Sequence, residues 1–131
     1  GDDYSLKYKD GYSINVALTV PPFPYRTFDK DIINRGVNIF FKKEMTEEEF
    51  SHIHFEGISA KKRKKETTYY TAGNLGYVLY ITETGKTIQD AREKVYSIIN
   101  KIIIPKMFYR TDIGLKFVKK DQELLKKWGW I

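Results

Sequence analysis

Arg110 and Asp112 stand two residues apart in "FYRTDIG", residues 108–114. The planar guanidinium can grip a carboxylate or phosphate with two parallel hydrogen bonds, or it can spend that fork on Asp112. By residue chemistry alone the second reading is the plainer one, an ion pair that orients a turn. "KKRKK" supplies five adjacent cations, Lys61, Lys62, Arg63, Lys64 and Lys65, as a candidate anion-binding run. With Tyr69 and Tyr70 close by, it could follow a phosphate backbone while the rings stack on bases. A solvated hairpin tip that keeps a sheet edge from aggregating explains the same run. His52, His54 and Glu56 alternate, so on one strand they would share a face and could begin a metal site. The chain holds no other His, and ordinary strand residues are the simpler account.

Glu47, Glu48 and Glu49 are consecutive, and consecutive helical positions diverge, so they form no paired-carboxylate site. Negative charge at a helix start is reason enough for them. "TAGNLGYV", 71–78, offers Gly73 and Gly76, but a phosphate loop follows a strand and opens a helix, whereas here a loop opens a strand. Those glycines supply a turn or a close backbone approach. The residues hold no Ser/His/Asp set and no catalytic or metal centre. With no Cys in the chain, disulfides, Cys-based zinc sites and thiol catalysis are excluded.

The elements that must position these groups follow from periodicity. "YSINVALTV", 12–20, is a β-branched strand ending at Pro21-Pro22, after which "PPFPY" holds the chain extended. A second strand is expected over 35–43, and a short helix over 46–50 with Thr46 and Glu49 at capping-box spacing. Residues 52–59 alternate as one strand, 66–72 return antiparallel to it, and the cations form the tip between them. "GYVLYITET", 76–84, is the clearest strand. Thr87 and Asp90 then open a helix whose stripe is Ile88, Ala91, Val95, Ile98, Ile99 and Ile102, closed by Pro105. A last helix runs through "KKDQELLKKW", with Leu124, Leu125 and Trp128 facing inward. Strands outnumber helices and come consecutively. The fold class is therefore α+β, a mainly antiparallel, barrel-sandwich-like sheet structure carrying one long and one shorter helix.

The 131 residues suit one domain, 1–131, with 41% apolar and 31% charged residues in a globular balance. Ten Tyr and eight Phe favour β structure. A net charge of +6 permits anionic partners and selects none. No run nears the roughly 20 apolar residues of a membrane span, and "GDDYSLKYKD" has neither part of a signal peptide. No membrane association is expected, and the absence of Cys fits a cytoplasmic protein.

Thr71, Gly76, Val78, Leu79, Thr82, Gly85, Thr87, Ala91 and Tyr96, followed by Arg110, Asp112, Ile113 and Gly114, keep an order and spacing of their own. That series resembles the C-terminal domain of the glycinamide ribonucleotide synthetases (phosphoribosylamine–glycine ligases). Their pattern runs T-x-G-G-R-V-L, V-T-x-x-G-x-T-x-x-x-A and Y/C-R-x-D-I-G. "NVALTVPPFPY" is similar to that family's apolar strand followed by Gly-Tyr-Pro, with Phe23 and Pro24 in the comparable place.

The resemblance implies a C-terminal piece of an ATP-grasp ligase of de novo purine synthesis. Its partners would be upstream ATP-grasp domains of the same polypeptide, and its substrates small molecules; nucleic acid is not expected. ATP and Mg²⁺ are implied for the full-length enzyme and none for this piece, which alone would be inactive. It further implies a supporting place at a substrate-site wall for Arg110, Asp112, Gly76, Tyr77 and Glu56. The family's Gly-Gly-Arg is here Leu75-Gly76-Tyr77, and its His-Ala-Gly-Thr is Phe55-Glu56-Gly57-Ile58. Replacing Arg by Tyr exchanges a five-donor fork for one hydroxyl, so a diverged relative acting on another amine or carboxylate stands beside the family's own substrates as an alternative. The other reading of the residues is a basic nucleic-acid-binding or scaffold module.

Overall fold

Alternation along Tyr12–Thr19 gives strand β1, whose Ile14, Val16 and Leu18 point into the core while Asn15 and Ala17 face outward. The computed structural model describes residues 5, 7, 10–24, 33–64 and 66–131. Within them β2 is Asn38–Phe41, α1 Glu47–Ser51, β3 Ile53–Phe55, β4 Ile58–Arg63, β5 Glu66–Thr71 and β6 Tyr77–Gly85. Helix α2 (Ile88–Ile99), strand β7 (Ile102–Ile103) and a π-helical turn Phe117–Asp121 running into α3 (Gln122–Lys127) complete the order. One antiparallel sheet has the order β1-β6-β3 and the other β4-β5-β2-β7. The fold is α+β, as the sequence indicates.

Helix α2 lies on β1 and β6. Thr87 caps it by accepting from the Asp90 N–H, and Ala91, Val95, Ile98 and Ile99 are buried against Leu18, Leu79 and Ile81. The capping box of α1 is also present: Thr46 Oγ1 accepts from the Glu49 N–H at 3.1 Å, and Glu49 Oε2 from the Thr46 N–H at 2.9 Å. Glu49 does more than favour a helix start, since its other oxygen takes a 2.6 Å bond from Lys101 Nζ. Those bonds, Lys101's first, hold its carboxyl below the usual carboxylate range.

Several expectations need correcting. Residues 52–59 are not one strand: β3 pairs with β6 and β4 with β5, so the chain changes sheets at Glu56-Gly57. A Cβ on Gly57 would lie 2.3 Å from the Tyr77 carbonyl oxygen, so only glycine permits this crossing. Helix α2 ends at Ile99, well before Pro105, because Ile102 joins the second sheet opposite Phe41. Strand β2 is shorter than 35–43, and residues 21–24 form a turn with cis bonds at Pro21-Pro22 and Phe23-Pro24. Tyr25 and Lys65 lie outside the described residues. Leu124 and Leu125 are half-buried, but Trp128 is 62% exposed, since the apolar stripe of α3 runs past the edge of the core.

Candidate functional site

Arg110 and Asp112 do pair. Arg110 Nε donates to Asp112 Oδ1 at 2.8 Å and Arg110 Nη2 to Oδ2 at 2.6 Å, the bidentate fork that the two-residue spacing suggests. The hydrogen bonds and charge of Asp112 raise the Arg110 pKa, and those of Arg110 lower that of Asp112. Both side chains are well exposed, 72% and 55%, so the pair adds little stability; its effect is to fix the orientation of Arg110.

The backbone under the pair is fastened from α2. Arg92 Nη1 donates to the Ile113 carbonyl and Nη2 to the Thr111 carbonyl at 3.1 Å, while Tyr96 Oη donates to the Arg110 carbonyl at 2.8 Å. Arg92 also sits over the Tyr96 ring, 5.1 Å from its centroid. Two side chains one helical turn apart thus hold three carbonyls of a four-residue stretch. Gly114 follows at φ +81, where a Cβ would meet Ile14 and Ile88 at 2.9 Å. Sequence reasoning did not single out Arg92; its i, i+4 relation to Tyr96 was the available signal.

The segment before this turn is tied to the edge of β1. Thr19 and Phe108 exchange both backbone hydrogen bonds, at 3.0 and 2.9 Å, and Thr19 Oγ1 adds a third contact to the Phe108 carbonyl. Between the outward face of β1, the 21–24 turn and residues 108–113 lies a cavity of about 480 Å³. Ala17, Phe23, Pro24, Phe108 and Ile113 give it apolar walls, and Arg110 and Asn15 are among its few polar members. Its volume is that of a small-molecule site.

Gly76 and Tyr77 shape the neighbouring wall. Gly76, at φ +80, brings the chain so close to the 20–24 turn that a Cβ would lie 2.1 Å from the Val20 carbonyl oxygen. Tyr77 then meets the Phe23 ring edge-on at 4.9 Å and stacks beside Tyr80 at 6.2 Å. Glu56 is exposed and near these rings. Burial, then the charge of Glu56, then Tyr77 push the Tyr80 hydroxyl above the ordinary tyrosine range. The structure therefore gathers Gly76 and Tyr77 beside the cavity that Arg110 lines, with Glu56 one step farther away.

The cations do not join them, and they are not merely a tip. Lys61, Lys62 and Arg63 lie within β4, opposite Thr68, Thr67 and Glu66; Lys64 alone among the described cations is at the turn. Paired antiparallel residues share a face, so Lys61 and Arg63 lie on the Tyr70 side and Lys62 on the Tyr69 side. Tyr69 is occupied in packing with Phe41, Phe50 and Phe55. The cations and both rings therefore do not form one surface; Lys61 and Arg63 share theirs with Tyr70 alone. His52 caps α1 rather than sharing a strand with His54, its Nδ1 3.1 Å from the Thr82 carbonyl and 3.4 Å from Glu83 Oε1. Among the described residues no three His, Cys, Asp or Glu side chains gather as metal ligands. The close approaches at Gly57, Gly73 and Gly76 are filled by backbone.

Residues 33–116 match the family model described as "Phosphoribosylglycinamide synthetase, C domain". The chain belongs to that family. The matched span of this synthetase C domain contains Glu56, Gly76, Tyr77, Arg110 and Asp112. The phosphoribosylamine–glycine ligase of Thermotoga maritima is 31% identical, over 80% of this chain and 22% of that protein. That of Streptococcus suis is 38% identical, over 47% of this chain and 17% of the relative. The crystal structure of the Thermotoga maritima ligase superposes with a TM-score of 0.55 at 27% identity, covering 78% of this chain and 22% of that one. The chain thus spans about a fifth of the length of these two relatives. No helix among the described residues is long and apolar enough to cross a membrane.

Proposed function

We propose that this chain is one domain, the C-terminal domain of an ATP-dependent phosphoribosylamine–glycine ligase-type enzyme of purine biosynthesis. In this reading it is cytoplasmic, packs on ATP-grasp domains of the same polypeptide and walls part of the substrate site. ATP and Mg²⁺ are held by those other domains and supply the activation of the carboxylate. This chain's residues orient and enclose: Arg92 and Tyr96 hold the turn, Asp112 aims Arg110, and Gly76 seats Tyr77 against Phe23.

The observation that carries the reading is the Arg110–Gly114 turn, which lies inside the family-matched span and is clamped by three carbonyl contacts beside a cavity. The test is the gene upstream of the codon for Gly1. A continuous frame of several hundred residues containing an ATP-grasp nucleotide site is the expected result. A start codon close to Asp2, with no such frame, would overturn the reading and favour a scaffold.

A further inference from the structure

The sheet β4-β5-β2-β7 has one side in the core, where Ile39 and Ile102 are buried and Phe41 and Tyr69 pack against them. Helix α2 lies on β1 and β6 instead, and the opposite side of this sheet faces solvent. Alternation puts Phe40 and Ile103 on that outer side, and the register sets them directly opposite each other. They are 53% and 50% exposed. An antiparallel sheet that meets water on one side carries polar residues there, and this pair breaks the pattern. Across the same face the chemistry changes. Half-buried Tyr70 stands between Asn38 and Ser59, and Lys61 and Arg63 follow on β4. Glu66 is opposite Arg63, yet among the described residues neither cation has a carboxylate at ion-pair distance. Exposed Lys64 at the adjoining turn adds to them. Over three strand spacings, roughly 14 Å, the face thus passes from apolar to cationic.

We infer that the outer face of this sheet is where the rest of the polypeptide packs, with apolar side chains on Phe40 and Ile103 and carboxylates meeting Lys61 and Arg63. The inference rests on the reading of this chain as one domain of a longer ligase, and it gives the contact between the domains an address. Length carries the choice of occupant. The chain covers 22% of the Thermotoga maritima ligase, so about four-fifths of such a protein lies outside it. Phe40, Lys61, Arg63 and Ile103 all fall within the matched span 33–116, so the face belongs to the domain those relatives share. Charge separates this occupant from a second copy, which would bring the same cations and only Glu66 to meet them.

The test is maleimide labelling of Phe40→Cys in the 131-residue chain and in the full-length gene product, the labelled peptide being read by mass spectrometry. The chain has no Cys of its own, so in it the label reports one position. Each rate is divided by that of the same protein unfolded in urea. The 131-residue chain should label freely, and the full-length product at least tenfold more slowly. Adding Lys61→Glu and Arg63→Glu should bring the full-length rate back to within about threefold of the short chain's and leave the short chain unchanged. Where circular dichroism shows that Phe40→Cys fails to fold, Ile103→Cys is read in its place. Equal rates at this position in the two proteins would overturn the inference, as would protection that the charge reversal leaves intact. Slow labelling of the short chain that quickens on dilution would also overturn it, in favour of a second copy. A gene with no upstream frame removes the ligase reading and this inference together, whereas equal rates in a full-length ligase remove the inference alone.

Discussion

Gly76→Ala and Gly36→Ala differ in one respect only, and that difference measures how tightly the cavity wall is built. Both glycines are left-handed, with φ +80 and +71, and an L-residue there costs about 1–2 kcal/mol from its Cβ alone. At Gly36 nothing lies within 4 Å of the added Cβ, so this term is the whole cost. At Gly76 the Cβ would sit 2.1 Å from the Val20 carbonyl oxygen, 2.7 Å from the Phe23 N and 3.0 Å from the Phe23 Cβ. The nearest atoms are backbone, and the Val20 oxygen must retreat by roughly 1 Å, a displacement in the range of overpacking costs of about 1–3 kcal/mol. Gly76→Ala should therefore lose about 2–5 kcal/mol and Gly36→Ala about 1–2 kcal/mol. In urea unfolding followed by circular dichroism, a slope near 1.5–2 kcal/mol/M turns these into midpoint drops of about 1–3 M and about 0.5–1 M. Equal midpoints for the two variants would refute the claim that the 20–24 turn and the 76–77 segment are in obligatory contact.

Three further outcomes follow from the same geometry. Arg92→Ala removes two charge-assisted bonds to the Thr111 and Ile113 carbonyls and should cost about 1–3 kcal/mol, with amide shifts concentrated at 110–114; dispersed shifts would count against the clamp. Glu49 has a folded-state pKa below its unfolded value, so its contribution is present above about pH 4 and is lost as pH falls through the folded pKa. Glu49→Gln should flatten the fall of the urea midpoint between about pH 5 and pH 3, and an unchanged slope would exclude the Lys101 pairing as its source. Glu56→Gln removes the second-largest influence raising the Tyr80 pKa, so ultraviolet titration should show the last part of the tyrosine ionisation completing at lower pH; an unmoved curve would separate Glu56 from the ring cluster.

The parts legible in the sequence were those written in local chemistry. The stripe Ala91, Val95, Ile98 and Ile99 with Thr87 as cap gave α2, and the Arg110–Asp112 spacing gave the fork. The Ile102–Ile104 run lay beyond local reading, because its first residue keeps helical spacing while its β-branched side chain is drawn into pairing with Phe41. Residues 52–59 alternate without a break, so the change of sheets at Gly57 is visible only once Tyr77 is known to press against it. Trp128 keeps the spacing of Leu124 and Leu125, yet the core stops short of it. The cavity was the least legible feature, since its defining contact joins Thr19 to Phe108 across most of the chain. The family series includes Arg110, which lines it, but says nothing of its apolar walls.

The most direct test of the ligase account is ADP formation by the full-length product of this gene, with and without residues 33–131. The account requires ADP release that depends on an amine and a carboxylate together, that is lost on deletion of this segment, and that falls in the Arg110→Gln variant. Amine-dependent ADP release that survives the deletion unchanged would contradict it.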